Sequence, residues 1–249
     1  MLENEPLQAT VVPLKTSPYG WGVGFYQGDE ILHIKRPYTE EAQFDWRNIA
    51  ANISSDCIVA HVREPSVGTF RSENTHPFRM RQWLFAHTGA ISGFTEVRSK
   101  LIQSLPDFLQ RNIRGDTDSE VFFHMILAEL FAEGHLEARD PDPAIVRAAI
   151  GSAIQNLNAV VPSSPPHVFT LVLSNGRQMH ALRHGPDVAY IQREVKRLGK
   201  TSSLHGEPAG PDYTLVVCDL NEIPADYSPV PDRHVLTIDR DLRVSLHPL

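Results

Sequence analysis

Apolar positions along the chain fall into three blocks: short strand-like runs, then helical spacings, then strand-like runs again. Val23 to Tyr26 and Ile31 to Lys35 flank Gly28-Asp29, the pattern of a hairpin turn. From Glu40 to Ile53 the apolar residues Ala42, Trp46, Ile49, Ala50 and Ile53 keep helical spacing. Cys57 to Val62 and Trp83 to His87 are continuous apolar runs suited to buried strands, the second ending at Gly89. Phe94 to Leu105 predicts a helix stopped by Pro106. Thr117-Asp-Ser-Glu120 has the form of a capping box, in which Thr117 caps the helix and Glu120 reaches back. Val121 to Ala132 is apolar almost all round, so this helix is expected to be covered on more than one side. Pro141-Asp-Pro143 opens a further helix to about Val160, with Ile145, Ala148, Ala149, Ala153, Ile154 and Leu157 on one side.

After Pro162-Ser-Ser-Pro-Pro166 the pattern turns to β. His167 to Ser174 and Gln178 to Arg183 flank the Asn175-Gly176 turn, a hairpin signal. Asp187 to Gln192, Tyr213 to Asp219, His234 to Asp239 and Leu242 to Leu246 are further strands. The Pro- and Gly-rich stretches 206–212 and 224–232 are loops, too short for domain linkers. Residues 1–249 are therefore expected to form a single α+β domain of layered sheets and helices.

Composition narrows the function. The 249 residues are 41% hydrophobic and 21% charged, as in a folded chain with a sizeable core. Thirty acidic against 23 basic residues give a formal charge of -7, which argues against a nucleic-acid partner. No apolar run approaches the roughly 20 residues of a membrane span. The start, Met1-Leu-Glu-Asn-Glu-Pro6, lacks the basic-then-apolar order of a signal peptide. A cytoplasmic protein without membrane contact is expected. Cys57 and Cys218 lie in apolar runs and read as buried thiols. His61, His76 and His87 lack metal-ligand spacing, and Gly20, Gly22 and Gly24 precede no helix, so neither a metal nor a phosphate loop is expected. Taken alone, Asp118 is a dipole-favoured carboxylate in a first helical turn, Arg63 is a surface charge or half of an ion pair, and Trp21 and Phe25 are core.

Five segments carry a resemblance. Gly20-Trp-Gly-Val-Gly-Phe-Tyr26, Ala60-His-Val-Arg63 with Val67-Gly68, Glu73-Asn-Thr-His-Pro-Phe78, Phe85-Ala-His-Thr-Gly89 and Gly115-Asp-Thr-Asp-Ser-Glu120 stand in this order. Together they resemble class II glutamine amidotransferases, the N-terminal-nucleophile (Ntn) hydrolases, in the stand-alone subgroup that includes the ergothioneine-pathway γ-glutamyl hydrolase. Leu173-Ser-Asn-Gly-Arg177, Asp241-Leu-Arg-Val244 and Pro248-Leu249 fit as well. The resemblance implies a four-layer α-β-β-α sandwich of two antiparallel sheets. It implies release of ammonia or an amine from glutamine or a γ-glutamyl compound, with no cofactor. Arg63 matches the residue that pairs with the substrate α-carboxylate, a role suited to a guanidinium fork. Asp118 matches the acid that holds the α-ammonium. Gly89 matches an oxyanion-hole N–H, and Asn74, Thr75 and His76 match a loop lining the substrate pocket.

Three departures fall on the chemistry. In the family the nucleophile is an N-terminal Cys whose own α-amine is the general base. Here the chain starts Met1-Leu2 and the segment before Gly20 is short, so the expectation is a missing or truncated nucleophile strand and no catalytic residue in the chain as written. Thr88 stands where the family carries the Asn whose amide donates to the oxyanion. Losing one such donor costs roughly 10²–10³ in rate. Tyr19 replaces the usual Asp before Gly-Trp-Gly. The expectation is an impaired enzyme, a pseudoenzyme of this fold. The alternatives are an active hydrolase whose true start lies upstream and a non-catalytic subunit that binds a ligand or partners an active enzyme.

Overall fold

The computed structural model describes residues 19–39, 49, 51–63, 69–161, 167–194, 212–220 and 222–249. Strands β1 (Tyr19–Gln27) and β2 (Glu30–Thr39) form the expected hairpin around Gly28, whose φ of +62° a side chain would strain. Strand β3 (Ile58–Arg63) pairs with the other edge of β1, in the order β2-β1-β3.

A six-stranded sheet forms the centre. Its strands are β4 (Phe78–Met80), β5 (Trp83–Ala90), β6 (Val168–Ser174), β7 (Met179–Arg183), β11 (His234–Ile238) and β12 (Val244–Pro248), in the order β12-β11-β7-β6-β5-β4. A third sheet joins β8 (Val188–Arg193) to β9 (Tyr213–Cys218) and the two-residue β10 (Ser228–Pro229). Every strand pair among the described residues is antiparallel.

Strand alternation sorts the central sheet into two faces. On one, Trp83, Phe85, Leu171, Leu173, Leu182 and Val235 join the main core. Helices α1 (Phe94–Gln103), α3 (Asp118–Ala132) and α4 (Pro143–Val160) complete that core, with the short α2 (Asp107–Gln110) beside them. On the other face, Leu84 and Ala86 pack on Tyr26, Ile31 and Val59 of the first sheet. Further along, Ala181, Leu236 and Ile238 pack on Val188 and Val230. Two β layers are thus stacked, with helices over one side. On the outer side, Ile49 and Ile53 lie against Trp21 and Val23, in the segment expected to be helical over 40–53. Most of that segment lies outside the described residues. The architecture is the α+β, Ntn-type sandwich expected from the sequence.

Helix α3 is buried from Asp118 through Leu127 and again at Leu130, as its all-round apolar pattern requires, but its last turn opens to solvent, with Phe131 49% exposed. Its capping box forms only in part. The Thr117 side chain accepts from the Glu120 N–H at 3.3 Å, but the Glu120 carboxylate accepts from the N–H groups of Arg114 and Gly115 rather than from the cap. The upstream loop has a buried donor at Gly115 and a part-buried one at Arg114 to satisfy, and the carboxylate goes to them. Near the end of the chain, Asp239 Oδ1 accepts from the N–H groups of Asp241 and Arg243. This side-chain turn moves the start of the last strand from the expected Leu242 to Val244.

Candidate functional site

The site is assembled where β3, the 72–77 turn, the end of β5 and the start of α3 converge. In β3, Val59 and Arg63 are buried while Ala60 and Val62 are exposed, so Val59, His61 and Arg63 share the inward side. Gly22 lies opposite His61 across the β1–β3 ladder. A Cβ at Gly22 would stand 2.1 Å from His76 O and 3.2 Å from Ile34 O. The His76 backbone therefore lies directly on β1, and Gly24 likewise leaves room for Pro77 and Leu84, whereas a Cβ at Gly20 would press on Pro37 O of the neighbouring strand. This role was not read from the sequence.

Arg63 and Asp118 are 4% and 3% exposed and close enough to interact. Burial lowers the Arg63 pKa from its ordinary value, and the Asp118 carboxylate opposes that change. Arg63 Nη1 donates to Thr69 O at 3.1 Å. Asp118 Oδ2 accepts from the Ile91 N–H at 2.8 Å, and Oδ1 accepts from the Ser119 N–H at 2.8 Å. Asp118 is the first residue of α3, directly after the cap, where the helix dipole also favours a carboxylate.

Asn74 is fully buried and ties the pieces together. Its amide donates to Thr69 O and its Oδ1 accepts from the Asp116 N–H. Gly115 belongs to this contact, since a Cβ there would lie 2.3 Å from Asn74 Oδ1. Thr75 is buried too, but its hydroxyl donates to Arg71 O and closes its own turn. The structure thus places Arg63, Asn74 and Asp118 in one connected cluster and gives Thr75 a bracing position. Gly89 lies in the exposed end of β5 with φ +130°, and Thr88 before it is half-buried.

Three imidazoles fill the space beneath. His61 and His76 have ring centroids 4.2 Å apart, and His76 meets Phe78 edge-on at 4.6 Å. His61 Nε2 lies 3.1 Å from His87 O and 3.5 Å from Thr88 Oγ1. His87 Nδ1 lies 2.8 Å from Ser119 Oγ, next to Asp118. Burial, with His87 close by, pushes His61 down to about 4. Burial also pushes His87 down to about 4, against the pull of Asp118, and holds His76 well below its usual value. All three rings are neutral at physiological pH. Among the described residues no group of His, Cys, Asp and Glu is arranged to hold a metal ion. Sequence reasoning missed Ser119, the Ile91 N–H and the His61–Thr88 contact, because no local pattern marks a partner that comes from another element.

Two surface clefts of about 440 and 420 Å³ open elsewhere, around Arg79 and Asn112 and around Phe108 and Phe131. Neither is lined by Arg63 or Asp118. Cys57 contacts Ser174 Oγ at 3.3 Å, and burial pushes its thiol up to about 11 and that of Cys218 to about 12. Thiols so poorly ionised are weak nucleophiles.

Comparison with known proteins decides the family. Residues 10–198 match the family described as "Glutamine amidotransferases class-II". The chain belongs to this family. The probable glutamine amidotransferase DUG3 of Saccharomyces cerevisiae is 26% identical over 92% of this chain and 71% of its own length. The γ-glutamyl-hercynylcysteine sulfoxide hydrolase of Mycobacterium tuberculosis is 23% identical over 88% of this chain and 74% of its own. Among solved structures, a glutamine aminotransferase class-II domain protein from Silicibacter pomeroyi superposes with a TM-score of 0.64 at 21% identity, covering 92% of this chain and 90% of that one. This class II amidotransferase chain therefore shares the fold of its structural relatives. No helix among its described residues is long and apolar enough to cross a membrane.

Proposed function

We propose that the cluster of Arg63, Asn74 and Asp118 binds the α-amino-acid end of L-glutamine or of a γ-glutamyl compound, and that hydrolysis at this site is impaired. The observation that carries the reading is two buried opposite charges: a cation from β3 and an anion from α3, close enough for the carboxylate to act on the guanidinium, each nearly sealed from water. Buried charges are costly unless paired. An α-amino acid carries one ammonium and one carboxylate, so it can take an opposite partner from each side. Arg63 would meet the carboxylate with its planar fork, and Asp118 would accept from the ammonium. Asn74 holds the turn that carries Thr75 and His76 beside them. The γ-carbonyl would then lie toward Thr88 and Gly89. A threonine hydroxyl reaches less far than an asparagine amide, and this difference at the reacting centre motivates the impairment. It also favours a second reading, a ligand-binding subunit that works beside an active partner. The mycobacterial relative, named for hydrolysis of a γ-glutamyl compound, supports γ-glutamyl ligands as the class to try first.

Thermal unfolding with added ligand tests the binding. At a hundredfold excess over Kd, ligand stabilises the native state by about 2.7 kcal/mol, which raises Tm by several degrees. L-glutamine or a γ-glutamyl dipeptide should produce that shift, and Arg63→Ala and Asp118→Ala should each abolish it. A shift that survives both substitutions overturns the assignment. Ammonia release near background agrees with impairment, and rapid turnover contradicts it.

A further inference from the structure

The half-buried Thr88 hydroxyl has a specific neighbour. His61 Nε2 approaches two oxygens at once, His87 O at 3.1 Å and Thr88 Oγ1 at 3.5 Å. A backbone carbonyl only accepts, so the first contact requires a proton on Nε2. The Thr88 oxygen, at 3.5 Å from the same nitrogen, then accepts the weaker share of that N–H. A hydroxyl that accepts from one side is left to donate on another, because its single proton rotates away from the incoming N–H. Strand alternation fixes the arrangement. His87 turns to the helix side, where Nδ1 meets Ser119, and Thr88 turns to the opposite side, facing the first sheet.

We propose that His61 is a positioning residue that orients the Thr88 hydroxyl as a hydrogen-bond donor to the γ-carbonyl oxygen of a bound glutamine or γ-glutamyl ligand, in the place where the family's asparagine amide would act. The proposal rests on the binding reading above. It means that the Thr88 substitution keeps a side-chain donor at this position, one of shorter reach than the amide. Burial pushes the His61 pKa down to about 4, so across the physiological range the ring is neutral and carries a single N–H. His87 O holds the tautomer, Gly22, opposite His61, leaves room for the His76 backbone, and the His76 ring lies against the His61 ring with centroids 4.2 Å apart.

Binding by calorimetry separates this from a structural role. L-glutamine carries the γ-carbonyl, and L-norvaline has the same α-amino-acid end and a side chain of similar length without it. Thr88→Val should weaken glutamine binding about five- to tenfold, the size of one neutral hydrogen bond, and leave norvaline binding unchanged. Thr88→Ser should retain the glutamine affinity. His61→Phe should weaken glutamine to a similar degree, His61→Gln should restore part of the loss, and the His61→Phe/Thr88→Val double variant should lose little more than either single one. Nitrogen-15 NMR of the imidazoles should show His61 as the Nε2–H tautomer, with its resonances shifted by Thr88→Val and not by Thr88→Ser. Equal loss of glutamine and norvaline in the Thr88 and His61 variants overturns the proposal, as does additivity in the double variant or the Nδ1–H tautomer. Wild-type protein that binds neither amino acid overturns the binding reading and the proposal together. Binding of both with Thr88→Val without effect overturns the proposal alone.

Discussion

At Gly22 the side chain that is absent does the structural job. A methyl group at this position would press on two backbone oxygens, His76 O at 2.1 Å and Ile34 O at 3.2 Å, and neither can swing aside as a flexible side chain would. Gly22→Ala should therefore cost about 1–3 kcal/mol or more through forced backbone shifts. Because the atom displaced belongs to the 72–77 turn, the same variant should lose affinity for glutamine. Urea denaturation checks the first effect and calorimetry the second. An alanine variant with unchanged midpoint and affinity would mean that the His76 backbone does not press on β1. The same scale accounts for Arg63 and Asp118. The resemblance implied a ligand role for each, and burial beside the other charge supplies the physical reason for it.

Among the elements, α3 brings the most to the site. Its apolar residues insert into the core between the central sheet and α4, and that burial fixes where its first turn lies. The first turn then presents Asp118 to Ile91 and Arg63, and Ser119 to His87. Thr117 holds the turn by accepting the Glu120 N–H. Thr117→Ala should cost about 1–2 kcal/mol by leaving that buried donor without its cap, while Thr117→Ser should cost much less. Denaturation midpoints of the two variants provide the comparison. Equal stability of Thr117→Ala and wild type would show that the Glu120 contacts with Arg114 and Gly115 hold the helix start unaided.

For the whole molecule, the buried histidines set an acid limit. His61 and His87 are pushed from 6.5 down to about 4 and His180 to about 3, and His76 is also lowered. His180 lies between Thr237 and Gln178, far along the chain from the other three. In the unfolded chain these rings take up protons below about pH 6.5, while in the native state they do not. The unfolded state then binds more protons, so stability falls as pH drops from about 6.5 toward 4 and is independent of these groups above about pH 7.5. Each ring contributes a slope of about 1.4 kcal/mol per pH unit in that window. Three together would exhaust a typical stability of about 5–15 kcal/mol within a few units. Urea midpoints measured from pH 8 to 4.5 should be flat and then fall steeply. A flat profile down to pH 4.5 would show that these rings are protonated in the native protein.

The longer strands and helices were legible in the sequence because each carries its own period, whereas β4, α2 and β10, of two to four residues, are too short to show one. The apolar run of β3 and the all-round apolar face of α3 needed no partner to be read. The family could be read for a similar reason: five short segments keep their residues and order, and Arg63, Asn74 and Asp118 lie within them. The contacts between elements were not legible. Periodicity says which way His61, His87 and Thr88 point from their own strands. It does not say that His61 will meet Thr88, that His76 will lie on Gly22, or that Glu120 will leave its cap for Arg114 and Gly115. Those pairings depend on how far one sheet is displaced over the other and on which buried donors lack a partner once the layers close. Such quantities belong to the packed molecule, so only the tertiary structure decided them.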